Sequence, residues 1–265
     1  VLGLPAYWRA ASLTAGTLAT LPLKTYKVGS RQKVQRRTVL DAPNPRQTPA
    51  EYKLTSFLHA ITWGNMVSRK VRDGSGLVRE VWPIHPGCVR VEPVEPTAAD
   101  PAGKLFIVTV RGQETRLTSR DILHVPMVSA DGVVGVRPLE VFRQSLGIAI
   151  AGDDATAKFI ANGSRLSGIL STDQKLEDSS ARKLKARWKE LTGGVDNSGE
   201  IGVLDSGATF TPVSIPPADA QMLEGRTWSV AEIARMVGTP PHMIGDMTNS
   251  TSWGTGLEQQ VLGWV

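Results

Sequence analysis

Four histidines, one cysteine and a few close carboxylates are the residues from which this 265-residue chain would have to build a reactive site. His59, His85, His124 and His242 are scattered along it, and none falls in the H-E-x-x-H spacing that sets two imidazoles on one helical face for zinc. A metal-dependent hydrolase would have to be assembled from His124, His242 and nearby carboxylates. Ser180-x-x-Lys183 has the spacing of a nucleophile and its base, but the S-D-N and K-T-G companions of that motif are missing and the pair sits in a charged stretch. Asp153 and Asp154 are adjacent, and on a helix neighbours point about 100° apart, a poor geometry for an acid and a base sharing one substrate. No G-x-x-x-x-G-K-[ST] occurs, and Gly74 and Gly76 belong to a hairpin turn instead of a strand-to-helix phosphate loop. Cys88 has no partner for an internal disulfide, which points to a reducing compartment. Asn162-Gly-Ser and Asn249-Ser-Thr fit the glycosylation pattern, with nothing else that indicates secretion. The residues offer no convincing catalytic set, and no cofactor is expected.

Charge gives a milder signal. The formal net charge is +5, and its excess is uneven: Lys24, Lys27, Arg31, Lys33, Arg36 and Arg37 occur with no acid nearer than Asp41. One reading is a basic arm that touches phosphate, which would make the chain a nucleic-acid-binding module; the other is a solvated strand edge or loop. With 41% hydrophobic residues a core is expected. The longest apolar runs, such as LGIAIAG at 146–152, fall far short of the ~20 residues that span a bilayer, so no membrane partner is expected. No signal peptide is visible at the start. A beginning without Met and an ending in the helix-like GLEQQVLGWV suggest a piece of a longer polypeptide.

The elements that would position these residues alternate in type, and the fold class expected is α+β. Residues 4–22 read as a helix with Leu4, Trp8, Ala11, Ala15 and Leu18 on its stripe, closed at Pro22. Glu51–Ile61 reads as a second helix with Leu54, Phe57, Leu58 and Ile61 on one side. Asn65–Val71 and Leu77–Trp82 flank Asp73-Gly-Ser-Gly as a hairpin, ended by the prolines of WPIHPG. LFIVTV (105–110), the turn Arg111-Gly112 and ETRL (114–117) make another. Pro138 opens a helix whose stripe (Leu139, Phe142, Leu146, Ala149, Ile150) runs toward Asn162-Gly163. Short strands GIL (168–170), IGVL (201–204) and FTPVS (210–214) enclose a charged helix over 176–191. After Pro216-Pro217 a helix resumes, with a capping box at Ser229 and Glu232, and stops at Gly238 before Pro240.

Five stretches in this order resemble the portal, or head-to-tail connector, proteins of tailed bacteriophages: PAYWRAASLTAGTLATLPLKTY (5–26), LVREVWPIHPGCVRV (77–91), SRDILHVPMVSADGVVGVRPLE (119–140), FIANGSRLSGIL (159–170) and DAQMLEGRTWSVAEIARMVGTPPHMIGDM (219–247). The resemblance implies an elongated multi-region fold. Residues 1–137 would be a mixed α/β wing, 138–162 a stem helix and 163–216 a small α/β clip. Residues 217–238 would be the second stem helix, 239–256 a loop into the central tunnel and 257–265 the start of a truncated wing helix. The expected function is structural, without enzymatic activity: a homo-oligomeric ring, twelve copies in the virion, that passes double-stranded DNA at one capsid vertex. Its implied partners are the terminase large subunit, the major capsid protein and head-tail adaptor proteins; its implied locations are the virion and, during assembly, the host cytoplasm. Gly238, Pro240 and Pro241 would stop the stem helix, and Thr248, Asn249, Ser250, Thr251, Ser252 and Trp253 would face DNA in transit. Arg226 and Arg235 would line the channel or pair between subunits, and Arg182, Lys183, Lys185, Asp196 and Asn197 would face terminase. No charge lies between Asp246 and Glu258, and hydroxyl and amide groups touch a polyanion without the grip of charge-assisted contacts.

Overall fold

The computed structural model of the chain describes residues 3–30, 32, 33, 38–98, 100–161, 168–171, 179–183, 186, 209–212, 229–246 and 264. The chain divides into two compact units, Val1–Leu146 with Val230–Val265, and Gly147–Ser229.

In the first unit, α1 (Pro5–Thr20) begins with proline at its first turn, where a missing N–H costs nothing. It ends before the position expected, because Leu21 precedes Pro22 and is pushed to extended backbone (φ −64°, ψ 132°). Its packed face also differs from the expected stripe. Tyr7, Ala10, Ala11, Ala15 and Ala19 are buried, whereas Trp8 is 51% exposed and Leu18 lies at the surface. Small side chains let α1 approach α2 (Pro49–Trp63) closely; of the large ones, Tyr7 is buried while Trp8 and Leu18 stay exposed.

A complete capping box opens α2: the Thr48 hydroxyl accepts from Glu51 N–H (3.3 Å), and the Glu51 carboxylate accepts from Thr48 N–H (2.8 Å). Gly64, at φ 70°, ends it in the left-handed conformation. Here too the expected face shifts: Tyr52, Ser56, Ala60, Ile61 and Thr62 are buried and Leu54 is exposed.

Two three-stranded antiparallel sheets follow. The first has the order β2 (Val78–Ile84), β1 (Asn65–Arg72), β6 (Ile122–Pro126), and the second β3 (Val89–Pro93), β4 (Lys104–Val110), β5 (Gln113–Thr118). The expected hairpins are both present, the second through a turn with positive φ at Arg111 and Gly112. Strand β2 runs through Pro83, opposite Ser68, instead of stopping at it; β2 is an edge strand, where a missing donor is tolerated. The sequence reading missed β3 and β6. Val67 and Ile122 of the first sheet and Val89, Phe106 and Val108 of the second form one core, with Ile84, Val91 and Leu117 against it.

In the basic segment, Tyr26 bridges Lys33 and Lys27 N–H donates to Gln32 O (3.0 Å), so Lys24, Lys27 and Lys33 sit exposed around a tight turn. Arg31, Arg36 and Arg37 lie outside the described residues.

The helix expected from Pro138 is divided. A single turn, α3 (Pro138–Val141), is followed at Phe142 (φ −96°, ψ 19°) by α4 (Arg143–Ala161), and Leu146 N–H donates to Phe142 O across the break (3.0 Å). Leu146 and Ala149 are buried, while Ile148 and Ile150 are exposed.

In the second unit, beyond the α4 residues, β7 (Gly168–Ser171) and β8 (Thr209–Pro212) pair antiparallel, with Ile169 opposite Thr211. Residues 179–183 and 186 are helical. The strand expected at 201–204 and the rest of the helix expected at 176–191 lie outside the described residues.

Candidate functional site

Residues 229–237 form the helix whose end the sequence marks with glycine and two prolines. Ile233 and Ala234 are buried; Arg235 is exposed and pairs with Glu232 one turn earlier on the same helix. Such a pair on the surface contributes little to stability. Gly238 takes φ 75°. Its N–H donates to Arg235 O (3.3 Å), and Thr239 N–H reaches back to Ala234 O (3.0 Å). These are the two bonds of a Schellman stop, which satisfy carbonyls the helix end would otherwise leave open. Pro240 is extended (φ −57°, ψ 133°), and Pro241–Ile244 make one 3-10 turn. That turn closes the same way: Gly245 sits at φ 95°, its N–H donates to His242 O (3.3 Å), and Asp246 N–H reaches Pro241 O (3.0 Å). The chain therefore makes two glycine-dependent stops in succession before residue 247.

Two distant parts of the chain hold this hinge. Thr239 is only 3% exposed, and its hydroxyl lies 3.0 Å from that of Thr14 on α1. The indole N–H of Trp264 donates to Gly238 O (3.0 Å). The sequence reading missed Thr14, Thr239 and Trp264. The available signal was a threonine lodged between the stop glycine and the first proline.

Of the residues singled out from sequence, Arg235, Gly238, Pro240 and Pro241 lie in this hinge. Arg182 and Lys183 are exposed on the helical stretch at 179–183. Lys185, Asp196, Asn197, Arg226, and Thr248 through Trp253 lie outside the described residues.

Three of the four histidines make side-chain contacts within the first unit. Asn65 Oδ1, which can only accept, takes the Gly135 N–H (2.8 Å) and faces His124 Nε2 at 2.9 Å, so the imidazole carries its proton on Nε2. Asn65 Nδ2 donates in turn to Gly135 O (2.9 Å) and Trp63 O (3.0 Å). This amide pins the 127–137 connection to the end of α2, where a Cβ on Gly135 would fall 1.9 Å from Gly64 O. Burial, helped by Lys104, lowers the His124 pKa to about 4. Burial and neighbouring His85 do the same for His59, again to about 4; the His59 and His85 rings meet edge-on, 5.3 Å apart, and Trp63 also meets His85 edge-on at 5.0 Å. Among the described residues, no three His, Cys, Asp or Glu side chains gather as a metal would require. Among them too, no helix is long and apolar enough to cross a membrane.

Comparison with known proteins gives this architecture its context. A probable portal protein of Streptomyces phage phiC31 is 33% identical over 285 aligned residues, an alignment that takes in 100% of this chain and 60% of that protein. The chain thus spans less than two thirds of that relative's length. The crystal structure of an HK97-family phage portal protein from Corynebacterium diphtheriae superposes with a TM-score of 0.69 at 17% identity, covering 99% of this chain and 84% of that one. A chain from the neck of a native gene transfer agent particle, computed with C12 symmetry, gives a TM-score of 0.62 at 22% identity over 94% of this chain and 69% of its own. The model of the phage portal protein family matches residues 5–265, and the chain belongs to that family.

Proposed function

We propose that this chain is the subunit of a portal ring, a structural channel at one capsid vertex through which double-stranded DNA enters during packaging and leaves on ejection. The observation that carries the reading is the family match from residue 5 to 265. Twelve copies are proposed on the strength of the C12 symmetry used for the related neck.

In this reading 1–137 is the wing, 138–162 and 217–238 are the stem helices, 163–216 is the clip and 239–256 is the tunnel loop. The double stop at Gly238 and Gly245 supports the last of these, because it turns the chain out of the helix immediately before the uncharged run 247–257. The clip would dock the terminase large subunit through Arg182, Lys183, Lys185, Asp196 and Asn197, a role supported by the exposure of the first two. The major capsid protein and head-tail adaptors would bind elsewhere on the ring, in the virion and, before that, in the host cytoplasm. ATP hydrolysis would belong to the terminase, since the chain has no phosphate-cradling loop.

Electron microscopy of the purified full-length protein tests this. Discrete rings with a central hole are expected, with twelve-fold averages from the particle-derived form. A protein that stays a globular monomer at high concentration would overturn the reading.

A further inference from the structure

We infer that Thr14, Thr239 and Trp264 are positioning residues that fix the Gly238–Asp246 turn against α1. This deepens the portal reading, because that turn immediately precedes the uncharged run assigned to the channel. The inference rests on the reading for its function and on geometry for its mechanism.

Three observations build it. First, the side-chain hydroxyls of α1 do not all behave alike. Ser12, Thr17 and Thr20 turn onto carbonyls of their own helix, at Arg9, Leu13 and Thr17. Thr14 instead reaches across 225 residues of sequence to the Thr239 hydroxyl. Secondly, Thr239 carries two constraints at once. Its N–H makes the long bond of the helix stop to Ala234 O, and its buried side chain is tied to α1. A buried hydroxyl needs a partner, so the turn and the tie hold each other in place. Thirdly, Gly238 O, one residue past the helix, receives the indole N–H of Trp264 from 26 residues onward. Thr14 and Trp264 thus meet the same turn from opposite directions along the sequence.

The base is firm for a physical reason. Ala10, Ala11, Ala15 and Ala19 are buried, and they let α1 pack closely on α2.

Hydrogen exchange on full-length protein, with peptides spanning 236–246, measures the hinge. Thr14→Val and Thr239→Val each remove one hydroxyl at nearly constant volume and should speed exchange there about five-fold. The double variant should be no faster than either single one, because both remove the same contact. Thr14→Ser should restore slow exchange, and Trp264→Phe should speed it independently of Thr14. Unchanged exchange in both valine variants would overturn the inference. So would a speed-up that extends equally into α2 (49–63), which would mark general loosening. Electron microscopy of the same samples separates the two claims: no rings from wild-type protein would sink the portal reading while the exchange result still decides the anchoring of the turn.

Discussion

Protonating His124 would place a second N–H where no described residue receives it: Nδ1 is buried without a partner among them, while Nε2 is committed to Asn65. His59 Nδ1 is in the same position. Both imidazoles have folded pKa values near 4, below the ordinary 6.5. Between those values the unfolded chain binds more protons than the folded one, so stability is complete above about pH 6.5 and declines as pH falls toward 4. Denaturant midpoints at pH 7, 6, 5 and 4 should show that decline, and His124→Gln, whose amide can still donate to Asn65, should flatten it. An unchanged slope would refute the assignment. None of this was legible in the sequence, where His124 was a candidate ligand. Asn65 was likewise hidden: it begins a strand in a readable hairpin, but its partner Gly135 lies 70 residues away, and no local pattern connects an amide to a backbone so distant.

The first helix shows which part of an element its sequence reveals. Pro5 and Pro22 bracket it, so its existence and approximate ends were readable. Its buried face was not, because a run rich in alanine and threonine gives a weak periodic signal, and Trp8 and Leu18 dominated the apparent stripe. Close packing on α2 selects the alanines instead. Ala15→Leu should therefore cost about 1–3 kcal/mol through overpacking, while Trp8→Ala, at a 51% exposed position, should stay within about 0.5 kcal/mol of wild type. Urea denaturation of both variants checks the pair, and the reverse order would restore the stripe read from sequence. The hairpins were easier, since a glycine-bearing turn between apolar runs is a local signal. Strands β3 and β6 pair with β4 and β1, and their short sequences (VRVEP and ILHVP) declare neither partner.

For the molecule as a whole, order along the chain carried more information than any one site. Five weak stretches in sequence resembled a family that the match over residues 5–265 then gave, whereas the hinge's anchors lie far apart in sequence and emerge only on folding. The portal reading makes a further demand on 247–257: the segment must meet DNA and must not hold it. Its lack of charge accounts for the second property, and adding charge tests the first. In full-length rings, Ser250→Arg and Ser252→Arg should tighten duplex binding at low salt. Each additional phosphate neutralised should also steepen the fall of log K with log salt by about 0.9. The gain should be the same for unrelated sequences, because phosphate contacts carry no base information. Lysine or arginine neutralisation within 24–37 should leave that slope unchanged, because those residues belong to the wing in this reading. If the arginine variants bind DNA no better while loss of the 24–37 charges abolishes binding, the basic segment is the nucleic-acid contact and residues 247–257 do not reach the duplex.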